Sequence, residues 1–327
     1  MSLKRIVLLG LAVLFVSVPV YAQTKSVTIG LSLPSEEGAF FDALVRNIQF
    51  LAEEAGVELV VTGAGYDLET ENANIQSLIQ QQIDVLLLTP TDAVGSAAAV
   101  QSANAAGIPV ILLGGELETA DLESQPELAG TIVADYAAEG QLAAETMCGR
   151  LEGRGVLLEA INVPMDETTD LMPLAVKQAS ERSAGFATAF GELCPDVEIV
   201  PLNVAGLEEA DVTDALLAAI NAQPFNGLLA YDDQTVLAAL DVFQQSRTRG
   251  VAVMGFGASE ILVGALELGD IEATITLKPD QLAKAGLDAA LAYLQGTTVS
   301  AEVESVALNV EELTVMRSCG GAGQPRC

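Results

Sequence analysis

The feature that most constrains this chain is a strand–helix rhythm that runs, breaks off and starts again. Residues 26–33 read as a buried strand and 40–54 as an amphipathic helix. Strands at 57–62, 84–88 and 109–113 alternate with helices at 68–82 and 92–106. These strands are almost unbroken apolar runs, the pattern of parallel strands covered on both faces. After an irregular acidic stretch the pattern resumes, with strands at 131–134, 155–159, 198–201, 227–231 and 251–255. Helices beginning near Asp135, Pro173, Glu208, Asp233 and Ser259 separate them. Two such runs imply an α/β fold of two doubly wound parallel-sheet lobes rather than one sheet. Right-handed crossovers bring the functional loops of each sheet to its carboxyl edge. If those edges face one another, the cleft between the lobes is the binding site.

The N-terminus carries a different signal. Lys4 and Arg5 precede an apolar run at 6–20, and Val20-Tyr21-Ala22 supplies small residues at −3 and −1. This is the pattern of a secretory signal peptide (residues 1–22) cleaved after Ala22. The run is short for a membrane span, which needs about 20 residues. No cysteine stands at the cleavage site to take a lipid. The mature product is therefore expected free in the periplasm or secreted, with no membrane insertion.

Composition excludes several classes. The formal net charge is −31 over 327 residues, and loss of Lys4 and Arg5 with the signal leaves −33. Such a chain repels nucleic acid and anionic membrane surfaces. Histidine is absent altogether, so neither a Ser-His-Asp or Cys-His nucleophile nor a His-bearing zinc site can be built. Paired carboxylates still leave glycosidase chemistry open. Four cysteines in an exported chain suggest disulfides, with three possible pairings. Cys148 with Cys194 is favoured, each near the end of an expected helix in the same half. Cys319 with Cys327 would then close a Cys/Gly-rich tail at 317–327. No CxxC or metal-ligand spacing appears, and no metal or cofactor is expected.

Several segments together carry a family resemblance. They are Asp84-Val-Leu-Leu-Leu-Thr-Pro-Thr-Asp92, Ala105-Ala-Gly-Ile-Pro-Val-Ile111, Glu181-Arg-Ser-Ala-Gly-Phe186, Ala230-Tyr-Asp-Asp233, Val253-Met-Gly-Phe256, and Gly269-Asp-Ile-Glu-Ala-Thr-Ile275 followed by Pro279-Asp-Gln281. In this order and spacing, from Val27 to Val315, the chain resembles the periplasmic sugar-binding proteins of the ribose-binding type. The resemblance implies the type 1 binding-protein fold, in which the chain crosses between lobes three times. Hinges are expected near Ala134, Thr276 and Ser305. The first lobe then comprises 26–133 and 277–305, the second 134–276 and 306–316. It also implies a monomer that closes on a sugar-like ligand and delivers it to the permease of an ABC importer. A ligand drives such closure only by contacting both lobes, because equal affinity for two states shifts nothing.

The same resemblance proposes site residues. Phe40 and Phe41 follow the first strand, where the family stacks aromatics on sugar faces; core packing is the alternative for a Phe pair. Arg182 matches the family's ligand-binding arginine, although a surface pair with Glu181 or Glu192 would also satisfy it. A guanidinium fork holds two hydroxyls or a carboxylate. Loss of Arg182 is expected to abolish binding and leave the fold intact. Asp232 aligns with a ligand-binding asparagine, and Asp233 is expected to cap the following helix. Departures are informative too. Gly114-Gly115 replaces Asp-Arg, Gly257 replaces Asp, Leu277 replaces a glutamine, and Gly38 replaces an asparagine. A buried hydroxyl without partners costs about 1–3 kcal/mol, so ribose would fit poorly. The ligand is then larger, less hydroxylated, or held by Glu37, Glu116 and Asp135 besides Arg182.

Other functions fit less well. A secreted α/β enzyme would share the architecture, but Gly255-Phe-Gly257 lacks the continuation of a nucleotide loop and no catalytic constellation appears. A repressor core would need a DNA-binding unit where the signal peptide stands. A receptor presenting its ligand to a membrane sensor kinase is not separable from transport by sequence.

Overall fold

A computed structural model of the chain describes residues 26–118, 126–161, 174–204 and 209–318. The expected signal peptide and the Cys319–Cys327 pair lie outside them. The first run builds β1 (Thr28–Leu33), α1 (Ala39–Ala55), β2 (Glu58–Gly63), α2 (Leu68–Gln80), β3 (Val85–Leu88), α3 (Ala97–Ala105), β4 (Val110–Leu113) and β5 (Gly130–Ala134). The second builds α4 (Tyr136–Leu151), β6 (Gly155–Ile161), α5 (Leu174–Leu193), β7 (Val197–Asn203), α6 (Glu209–Ala222), β8 (Gly227–Ala230), α7 (Asp233–Ser246), β9 (Ala252–Phe256), α8 (Glu260–Leu268) and β10 (Ala273–Leu277). The chain closes with α9 (Pro279–Leu294), β11 (Ala301–Val303), β12 (Ser305–Leu308) and α10 (Val310–Ser318).

These strands form two six-stranded sheets of the same winding, β2-β1-β3-β4-β5-β11 and β7-β6-β8-β9-β10-β12. Every pairing is parallel except that of β12 with β10. The apolar runs explain the layering. In β3, Val85 and Leu87 join one core cluster while Leu86 and Leu88 join another on the opposite face. In β6 and β8, Leu157 and Leu229 face the α4 and α5 side, and Leu158 and Leu228 the α6 to α8 side. Each sheet is thus a middle layer with helices on both faces, as its lack of polar alternation requires.

The chain passes between sheets after Ala134, after Leu277, and at Glu304 between Val303 and Ser305. Three boundary residues fall one position across from the expected lobe limits. Ala134 pairs with Val303 in the first sheet, and Leu277 pairs with Ser305 in the second. A second difference concerns α3, which begins at Ala97 rather than at Asp92. The Asp92 carboxylate accepts from the backbone N–H groups of Val94 and Gly95, and so holds a turn where the helix was expected. Cys148 and Cys194 form a disulfide with Cα atoms 5.9 Å apart, joining the end of α4 to the residue after α5. Among the described residues no helix is long and apolar enough to cross a membrane, and no cluster of three metal-ligating side chains occurs.

Candidate functional site

The carboxyl edges of the two sheets face each other across a cleft of about 530 Å³. The first lobe contributes Phe40 and Phe41 from α1, Tyr66 from the loop after β2, and Gly114 to Glu116 after β4. The second contributes Tyr136, Gln178, Arg182, Asp233 and Ser259. A larger groove of about 1190 Å³ lies between α7 and α8 on the outer face of the second lobe. Its lining comes from that lobe alone, so a molecule bound there could not couple the two.

Arg182 is placed by the packing of α4 on α5. A Cβ at Gly140 would stand 2.0 Å from the Arg182 carbonyl oxygen, and one at Gly185 would stand 2.1 Å from that of Ala137. Only hydrogen at both positions lets the helices approach closely enough for Arg182 to reach Glu139. Its Nε donates to Glu139 Oε2 at 2.7 Å, with side-chain exposures of 17% and 3% for the pair. The other Glu139 oxygen accepts from the Ser305 hydroxyl at 2.7 Å. The guanidinium carbon stands 4.9 Å from the Tyr136 ring centre and 5.0 Å from that of Phe256. Phe256 in turn stacks on Tyr231 at 5.2 Å. Neither expected surface partner, Glu181 nor Glu192, holds the arginine. Its Nη groups make no hydrogen bond among the described residues, so they are available to a solute.

Glu116 links the lobes. Its Oε2 accepts from the Tyr136 hydroxyl at 2.8 Å and from Gln178 Nε2 at 2.9 Å, while Gln178 also donates to the Tyr136 oxygen at 2.9 Å. Glu116 follows β4 of the first lobe; Tyr136 and Gln178 belong to helices packed on the second. Burial, followed by the Glu116 bond and charge, raises the Tyr136 hydroxyl pKa, so this group stays a donor. Tyr231 is raised in the same way, first by burial and then by the charge of Glu159, to which it donates at 2.7 Å. Burial is also the main reason that Asp233 lies above the usual carboxylate range. A Ser259 hydrogen bond opposes the shift and Asp232 adds to it.

The expected site residues divide. Phe40, Phe41, Glu116 and Arg182 all line the cleft. The two phenyl rings meet edge to face at 5.3 Å and are half-buried; both also pack against the first-lobe core, which joins the two readings of the pair. The structure places Asp232 and Asp233 the other way round from the expected cap and cleft positions. Asp232 caps α7, accepting from the Thr235 N–H and hydroxyl at 2.8 Å each, and Asp233 lines the cleft. The cap needs extended backbone one residue before the first helical turn, and Asp232 has φ −144° and ψ 156°. Asp135 is exposed and likewise acts as a cap, holding the start of α4 through the Ala138 N–H. Glu37 is exposed on the loop after β1 and is not part of the lining.

The glycines have a backbone role beyond making room. Gly114 and Gly257 have φ of +72° and +102°, the left-handed side that favours glycine. In equivalent positions of the two lobes, each donates its N–H at 2.7 Å to the neighbouring strand, Gly114 to Ile132 and Gly257 to Ile275. Tyr66, Tyr136 and Gln178 were missed. Tyr66 and Tyr136 each follow the carboxyl end of a strand, and that position was the available signal. Gln178 had none, because only the packing of α5 brings it to Glu116.

Two α/β lobes with a cleft fed by loops from both define the class of two-lobed solute-binding proteins. The periplasmic binding protein domain family matches residues 29–298, and the chain belongs to that family. The ribose import binding protein of Bacillus subtilis is 24% identical over 282 residues, covering 86% of each chain. A xylitol-binding protein of Mycolicibacterium smegmatis is 26% identical over 255 residues, covering 77% of this chain and 68% of its own. In fold, the chain is similar to a periplasmic solute-binding protein of an ABC transporter from Actinobacillus succinogenes, solved with bound D-allose. That match has a TM-score of 0.63 and 21% identity, and covers 89% of this chain and all of the other.

Proposed function

We propose that this chain is the solute-binding component of an ABC importer, that it captures a sugar- or polyol-like molecule between its lobes, and that it does so without chemical turnover. One observation carries the reading: the cleft is lined by aromatic rings and hydrogen-bonding groups from both lobes. A solute there contacts both lobes at once, the condition for driving closure. Phe40, Phe41 and Tyr66 offer faces for stacking, and the Nη groups of Arg182 offer donors for hydroxyl oxygens. The chain passages after Ala134, after Leu277 and at Glu304 act as the hinge. Relatives named for ribose and xylitol support the ligand class, and the apolar Leu277 in place of the family's glutamine argues against ribose itself. The protein works as a monomer in the periplasm or outside the cell, released by cleavage near Ala22.

A thermal-shift screen of residues 23–327 against pentoses, hexoses, polyols, uronic acids and nucleosides tests this. At least one class should raise the melting temperature in a saturable way, with the solute recovered unchanged. No response from any class refutes binding of such solutes, and turnover of a bound member would make the protein an enzyme.

A further inference from the structure

On the reading that the cleft holds a solute, we infer that this solute is cationic: a hydroxylated amine of the amino-sugar or aminocyclitol class, whose ammonium group lies between Glu116 of the first lobe and Asp233 of the second.

The inference begins from the charges that line the cleft. Among the described residues there is one cation, Arg182, against the four carboxylates Glu116, Glu118, Glu139 and Asp233. Arg182 brings no surplus positive charge, because its Nε is bound to buried Glu139 at 2.7 Å. It remains a donor to neutral hydroxyls and is a poor anchor for an anion. Among the described residues, Glu116 and Asp233 have only neutral hydrogen-bond partners. The two hydrogen bonds that Glu116 accepts come from a phenol and an amide and fall on one oxygen, Oε2. Asp233 has a hydroxyl, Ser259. Neither makes a salt bridge with a described residue.

A neutral sugar closed into this space would leave both carboxylates in a desolvated cleft without a counter-charge, which is costly. A sugar acid would add a further negative charge. An ammonium supplies the missing charge and, because the two carboxylates stand on opposite lobes, ties closure to binding. The aromatic lining works in the same direction. Tyr66 and the Phe40–Phe41 pair line the same cleft, and aromatic rings attract a cation as well as stacking on ring carbons. The apolar substitutions fit as well: with Gly114, Gly115 and Leu277 on the wall, few partners remain for a fully hydroxylated pentose. An amine replaces one hydroxyl by a group that these carboxylates hold.

Titration calorimetry at pH 6.5 on the mature chain tests this with matched sets: neutral hexoses and cyclitols, their amino-deoxy counterparts, the N-acetylated amines, and the uronic acids. An amino-deoxy member should bind at least about tenfold tighter than its neutral parent. N-acetylation, which keeps the nitrogen and removes its charge, should abolish that advantage. Glu116→Gln and Asp233→Asn should each reduce it while near-UV circular dichroism stays unchanged. If a neutral parent or uronic acid binds as tightly as the amine, the inference is overturned and the solute-binding reading stands. If no member of any set binds, the inference is overturned; the solute-binding reading falls with it only if pentoses, acyclic polyols and nucleosides also fail in the thermal-shift screen.

Discussion

Arg182→Ala is the most revealing substitution, because the structure changes what it should do. Sequence reasoning expects loss of binding with an intact fold. In the structure, removing the guanidinium strands Glu139, which is 3% exposed and keeps only the Ser305 hydroxyl on its other oxygen. Breaking a buried pair in this way costs about 3–5 kcal/mol, because the remaining charge is buried without compensation. The two ring contacts of the guanidinium, at 4.9 and 5.0 Å, add about 0.5–1 kcal/mol each. Together these place the loss at about 4–7 kcal/mol, a large part of the roughly 5–15 kcal/mol that holds a typical protein folded. Urea denaturation at pH 7, followed by far-UV circular dichroism, measures it for Arg182→Ala, Glu139→Gln and the double variant. Glu139→Gln alone should cost about 1–2 kcal/mol, since a neutral amide still bridges Arg182 and Ser305. The double variant should be more stable than Arg182→Ala by about 2 kcal/mol, because no buried charge is then left unpaired. If Arg182→Ala costs less than about 1 kcal/mol, or the double variant is no more stable than it, the pair does not support the fold as argued.

Three further outcomes follow from other contacts. Glu116→Ala removes the acceptor shared by Tyr136 and Gln178, bonds to a charged group worth about 1.5–3 kcal/mol each; the ligand-free protein should open, and an unchanged radius of gyration by small-angle X-ray scattering would count against this contact as a latch. Burial raises the Asp233 carboxyl in the folded chain, so its contribution to stability is full below its unfolded pKa and is lost as pH rises through the folded value. Asp233→Asn should therefore melt higher than the parent at pH 7, with the difference shrinking on acidification; equal melting curves at all pH values would contradict the burial argument. Cys148→Ser with Cys194→Ser opens a link spanning 46 residues, for which loop-closure entropy gives about 4 kcal/mol. Chemical denaturation should show a loss of about 2–4 kcal/mol, matched by reducing the parent protein.

The periodicity of apolar residues alone determined the architecture of this protein. Four- to seven-residue apolar strands between amphipathic helices can be satisfied only by sheets covered on both faces, and a pattern that restarts requires two of them. The Cys148–Cys194 disulfide was also within reach, because both residues fall near helix ends in the same half. Adjacent residues that alternate between roles were not. Asp232 and Asp233 are chemically alike, and a one-residue difference in where extended backbone turns helical decides which caps α7 and which lines the cleft. The same ambiguity turned Asp135 into a cap and Asp92 into a turn. Contacts between distant segments were further out of reach: Glu116 meets Gln178, and Glu139 meets Arg182 and Ser305, because two helices with glycines at 140 and 185 pack closely and the chain returns between the lobes at Glu304. Sequence periodicity records which face of an element is buried; which charges end up paired across a cleft depends on the packing of elements far apart in the chain.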